Sequence, residues 1–169
     1  DLDFFFSSPH RPRSSALLRN STCIIVKPHA LKAGILPSLI SDIQLRADHL
    51  TISALETFHL QASQAEEFFE VYKGISEDYP GMVKELSSGR CLALEISDPR
   101  GNLNETDTEI VNRVRDLVGP KDPAISKLLR PQSLRAKYGV SRDHNGVHCT
   151  DLPEDGVLEV EYFFDILQH

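Results

Sequence analysis

Residues 22–26 read Thr-Cys-Ile-Ile-Val and stop at Lys27-Pro28. A run this short, this apolar and this rich in β-branched side chains predicts a strand buried within a sheet. Branched Cβ atoms pack well on a pleated surface, and the following proline offers no amide to extend the ladder. A buried strand constrains the whole chain, because it needs strands to pair with and other elements to cover it.

The rest of the sequence supplies both. Leu50, Ile52, Ala54, Phe58 and Leu60 share one parity, interrupted only by Glu56, which predicts a second strand over 50–60 with one buried face. Cys-Leu-Ala-Leu-Glu-Ile at 91–96 predicts a third, and a last one ends near Val147-His148. Between them lie helical stripes. Leu31, Ile35, Leu39 and Ile43 predict a helix over 30–47, which Gly34 and Pro37 divide in two. Ser63 and Glu66 predict a capping box for a helix carrying Ala65, Phe68, Phe69 and Tyr72, stopped by Gly74. Further helices are expected over 80–87 and 108–118, with a polar loop at 98–107 before the second. A last helix is capped by Asp151 and Glu154 and runs through Val157, Val160, Phe163, Phe164 and Leu167. This order predicts an α/β (α+β) fold. The expected form is a ferredoxin-like split β-α-β, a four-stranded antiparallel sheet covered by helices. Residues 1–20, rich in Ser, Pro and Arg, read as a flexible arm or linker, with Phe4-Phe5-Phe6 as its apolar feature; the domain is expected over 21–169. A chain that opens on Asp1 is expected to be a piece of a longer one.

Composition excludes several functions. Lys and Arg number 18 against 25 Asp and Glu, a net charge of −7, the wrong sign for holding a nucleic-acid backbone over a broad surface. An anionic ligand then needs a local basic cluster, and Lys121, Lys127, Arg130, Arg135, Lys137 and Arg142 form one along the chain. No apolar run approaches the roughly 20 residues that cross a bilayer. Three cysteines with no CxxC pair offer no zinc-ligand spacing and suit a reducing, cytoplasmic compartment.

Two features carry chemistry. Lys27 stands where a strand ends, and Asn145-Gly146-Val147-His148-Cys149-Thr150-Asp151 places a histidine between a turn and a helix cap. Each has a plainer reading: a lone histidine is more often a hydrogen-bonded structural residue, Lys27 a solvated strand-end charge, Arg115 a surface pair with Glu109 or Asp116, and Thr150 and Asp151 capping groups. Cys149 ranks below His148, because nothing marks its thiolate as stabilised. Unaided, the pattern reaches an α/β domain with a candidate anion site.

These same residues resemble the nucleoside diphosphate kinase family, from about residue 20 to residue 167. The family signature Asn-x-x-His-x-Ser-Asp appears as Asn145 to Asp151 with Thr150 for Ser, and Lys-Pro-Asp-Ala appears as Lys27-Pro28-His29-Ala30. Gly119 to Gly139 matches its phosphate-site loop. FFEVYKG, VHCTDLPEDG and EYFF are most similar to the C-terminal kinase domain of its two-kinase-domain, cilium-associated branch. The resemblance implies a ping-pong kinase in which His148 takes the γ-phosphate of a nucleoside triphosphate and passes it to a nucleoside diphosphate. It implies that Glu159 orients His148 and that Lys27, Arg115, Arg135 and Lys121 hold phosphates, with Lys121 standing where the family has Thr. Asn145 contacts sugar and phosphate, and Mg²⁺ arrives with the nucleotide. Asp78 replaces an aromatic that stacks on the base, leaving Tyr79 or Met82 to cover it, so base binding is expected to be weakened. A homo- or pseudo-dimer is also implied. The alternative is a structural module among tubulin or axonemal proteins of the cilium and cytoskeleton.

Overall fold

The computed structural model describes residues 14–46, 49–99 and 107–169. In chain order these form β1 (Ser21–Val26), α1 (Pro28–Lys32), α2 (Leu36–Arg46), β2 (Thr51–His59), α3 (Ala62–Phe68) and α4 (Tyr79–Leu86). Then come β3 (Arg90–Ser97), α5 (Asp107–Val118), α6 (Pro123–Leu129), α7 (Leu134–Tyr138), β4 (Val147–Cys149) and α8 (Gly156–Phe164).

The sheet order is β2-β3-β1-β4 with every pairing antiparallel. All six residues of β1 are buried, as its composition demanded. Its alternating side chains enter two cores. Cys23 and Ile25, with Cys91 and Ala93 of β3, meet Phe69, Val160 and Phe163. Ile24 and Val26, with Leu92 and Leu94, meet Leu39 and Ile43 of α2 and Val114 and Val118 of α5. Burying one such aliphatic side chain contributes about 1.5–3 kcal/mol, so both faces hold β1 as one of the two interior strands. No helix among the described residues is long and apolar enough to cross a membrane.

Local details depart from the sequence reading. The 30–47 helix divides as expected, at Gly34, whose φ of +73° favours glycine. In β2 the shared parity does not mean one shared face. A bulge lies between Ile52 and Ala54, so Leu50 and Ile52 pack into the second core while Ala54, Phe58 and Leu60 pack into the first. The capping box is formed by Gln61 and Gln64, not by Ser63 and Glu66, because the helix begins two residues early. Its stripe does not reach Tyr72 as α-helix; α3 ends at Phe68 and a 3₁₀ turn covers Glu70–Tyr72. Likewise α8 follows a 3₁₀ turn at Pro153–Asp155, and Asp151 accepts the Tyr72 hydroxyl instead of capping the helix. The basic segment holds two short helices, α6 and α7, each capped by a side chain, Asp122 and Ser133.

Within the stretch read as an arm, residues 14–18 meet the domain. Glu95, fully buried on β3, accepts the Leu17 and Leu18 amides at 2.7 and 2.8 Å and the Ser53 hydroxyl at 2.7 Å. Ala16 and Leu18 pack on the first core. A buried carboxylate needs such donors, and local pattern gave no sign of them. Phe4-Phe5-Phe6 and most of the 98–107 loop lie outside the described residues.

Candidate active site

The central strand and its edge neighbour deliver the chemistry. Lys27 follows the last residue of β1, and His148 sits in β4 opposite Ile25. Antiparallel pairing therefore sets Lys27 beside Gly146, whose carbonyl accepts the Lys27 amide at 3.0 Å.

His148 is buried, with its ring edge-on to Phe68 and Phe69 at centroid distances of 5.4 and 5.3 Å. Its Nε2 lies 3.0 Å from Glu159 Oε2 on α8. A carboxylate only accepts, so the ring proton belongs on Nε2 and Nδ1 keeps a lone pair. The same Glu159 oxygen accepts the Thr150 hydroxyl at 2.9 Å. Thr150, read as a capping group, thus fixes the carboxylate that fixes the histidine. Cys149 is a poor nucleophile, since burial pushes its thiol up to about 11.

A cleft of about 590 Å³ adjoins this strand, lined by Arg115, Lys121, Arg135, Gly119, Cys149 and Asp151. The structure thus brings together three cations spread along the chain from Arg115 to Arg135. Arg135, on α7, is 7% exposed; its Nε donates to Val147 O at 3.2 Å and its Nη1 to Gly119 O at 3.0 Å. Those two bonds aim the planar fork and leave other N–H groups for an anion. Lys27 is only 5% exposed and donates through Nζ to Asp143 O at 3.3 Å. Burial, and then the Arg135 guanidinium, pushes it down to about 8. Asn145 donates from Nδ2 to Lys121 O at 3.0 Å, and its buried Oδ1 has no partner among the described residues. A buried acceptor left open is a place for a ligand donor.

Asp78 and Met82 are placed differently from the rest. Met82 belongs to the first core, with its sulfur 3.5 Å from Lys121 Nζ. Asp78 Oδ2 pairs with Arg142 Nη2 at 2.8 Å and with Lys121 Nζ at 3.3 Å. These ion pairs, Arg142 first, hold its carboxyl below the usual carboxylate range.

His29 supports the loop before His148. Its Nδ1 lies 2.7 Å from Glu85 Oε1, and its Nε2 accepts the Gly146 amide at 3.1 Å. Glu85 also meets His144 Nε2 at 3.2 Å. Sequence reasoning missed Glu85 altogether. It read Tyr72 and the two phenylalanines around His148 only as a helical stripe, and Arg142 only as one of a basic cluster.

A split β-α-β sheet here carries a histidine held by a carboxylate, with a cleft lined by cations adjoining its strand. The nucleoside diphosphate kinase model matches residues 20–168, and the chain belongs to that family. It is 44% identical over 171 residues to nucleoside diphosphate kinase homolog 7 of Rattus norvegicus, an alignment covering 100% of this chain and 40% of that protein. The chain therefore spans well under half the length of that relative. It is 28% identical over 147 residues to the nucleoside diphosphate kinase of Aquifex aeolicus, covering 87% of this chain and 95% of that one. A crystal structure of the Aquifex aeolicus enzyme superposes with a TM-score of 0.74 at 30% identity, over 88% of this chain and 96% of that chain.

Proposed function

We propose that this domain moves a phosphoryl group between nucleotides by way of His148. The Nδ1 lone pair attacks the γ-phosphorus of a nucleoside triphosphate. The bond from that phosphorus to the bridging oxygen breaks, and the nucleoside diphosphate leaves with the electron pair. A second nucleoside diphosphate then attacks the phosphorus through a terminal oxygen, breaking the P–N bond and restoring Nδ1. The observation that carries this reading is the His148–Glu159 contact at 3.0 Å with Thr150 on the same oxygen. It holds the ring in one tautomer and one orientation, so the nucleophile costs little reorganisation.

Phosphoryl transfer needs mainly positioning and neutralisation of charge. Arg115, Lys121 and Arg135 in the cleft are the cations for that task, joined by Lys27 just past the end of β1; Asn145 offers its open Oδ1 to a sugar hydroxyl. Mg²⁺ enters as part of the nucleotide substrate. With a carboxylate at 78 and Met82 in the core, the domain grips the base weakly and turns over purine and pyrimidine nucleotides with little discrimination.

The test is labelling with γ-labelled ATP and Mg²⁺, beside a His148→Ala variant. Acid-labile, alkali-stable label on the parent alone, released by added nucleoside diphosphate, supports the reading. Absence of label in protein that still binds nucleotide overturns it and leaves a nucleotide-binding packing module.

A further inference from the structure

Asp78 stands at the N-cap of α4, a place where aspartate normally accepts an amide of its own helix. It makes no such bond. Its Oδ2 instead takes two cations from separate segments, Lys121 before α6 and Arg142 in the loop that leads to Asn145 and His148. Lys121 is further confined by Met82 Sδ at 3.5 Å and by the Tyr72 ring, 5.9 Å from its centroid.

The contact is one of three along one face of α4. At Gly81 an added Cβ would sit 2.5 Å from Asp143 Oδ1, so the Asp143 carboxylate rests against this bare stretch of helix. At Glu85 the carboxylate meets His144 at 3.2 Å. Positions 78, 81 and 85 follow one helical stripe; the outer two pair with Arg142 and His144, and the glycine between them faces Asp143.

We propose that Asp78 is an electrostatic gate on the phosphate cleft: it holds Lys121 and Arg142 together across the mouth, and a nucleotide phosphate enters by taking Lys121 from it. This rests on the phosphate-cleft reading above. Two anions then compete for one ammonium, and the Asp78 charge itself opposes an incoming phosphate. Asp78 acts through Lys121 and is a positioning residue that sets the affinity for phosphate. It makes binding weaker than the cations alone would give, and after Lys121 leaves it keeps its Arg142 contact to the loop bearing Asn145.

The test is calorimetric titration with ADP and, separately, with inorganic tripolyphosphate, at about 50 mM and about 500 mM salt, where screening lengths differ severalfold. The proteins are the parent, Asp78→Asn, Asp78→Glu, Lys121→Ala and the Asp78→Asn/Lys121→Ala double variant. Asp78→Asn is expected to bind both probes about three- to fivefold more tightly at low salt, the scale of a partly exposed ion pair. The gain should fade at high salt and vanish when Lys121 is alanine, while Asp78→Glu should bind like the parent. An Asp78→Asn variant that binds no more tightly overturns the gate. So does a gain confined to ADP, or one that survives loss of Lys121. Failure of every protein to bind either probe overturns the phosphate-cleft reading and the gate with it; binding without the Asp78→Asn gain overturns the gate alone.

Discussion

Glu159 and His148 come from different elements, α8 and β4, yet their side chains meet at 3.0 Å with the Glu159 carboxylate accepting the ring Nε2–H. This contact leaves Nδ1 as the ring's nucleophilic atom. Glu159→Gln replaces a charged acceptor with an amide that can also donate, and the ring loses its fixed tautomer. Transfer is expected to fall about tenfold to a hundredfold, the usual cost of losing a supporting partner. Thr150→Val should cost less and Thr150→Ser almost nothing. Single-turnover labelling rates of the three variants check the order.

Lys27 is buried and held down to about 8 by its surroundings. Unfolded, it titrates near 10.4. Between those values the unfolded chain binds the proton and the folded chain does not, so this group's contribution to stability rises with pH from 8 to about 10. At neutral pH it is a cost of folding. Lys27→Met should therefore be more stable by about 1–2 kcal/mol at pH 7 and catalytically dead. Thermal melts at pH 7 and pH 10 should show the gain shrinking at the higher value.

His29 is held below its ordinary value, chiefly by burial and against the pull of Glu85. Its Nε2 must be unprotonated to accept the Gly146 amide. The stability that depends on neutral His29 is present above about 6.5 and is lost as pH falls through its lower folded value. The melting temperature should drop on acidification from pH 7 to 5, and His29→Gln should flatten that part of the drop. A profile identical in both proteins would show that His29 contributes nothing there.

Glu95 buries a full carboxylate under residues 14–18 and Ser53. Glu95→Ala leaves two amides without an acceptor and opens a cavity. A loss of about 2–4 kcal/mol is expected, with faster proteolysis near residues 14–18. Glu95→Gln keeps one acceptor oxygen and should lose less. Chemical denaturation and limited proteolysis measure both effects.

What the sequence determined by itself was local. The β-branched run ending at Lys27-Pro28 had to be a buried strand, and Asn145 to Asp151 placed a histidine after a tight turn. The helix division at Gly34 was equally visible, because a positive φ is a property of one residue and its neighbours. Tertiary structure decided the rest. The Ser53 bulge turns the shared parity of Ile52 and Ala54 onto opposite faces, and only pairing with β3 reveals it. The site-facing roles of Asp78, Arg142 and Glu85 arise from contacts between α4 and a loop some sixty residues away. Residues 14–18 are docked because Glu95, 77 and 78 positions on, supplies their acceptor. Periodicity records which way a side chain points along its own element. It carries no record of which distant charge will stand opposite, and that is where this cleft acquires its electrostatics.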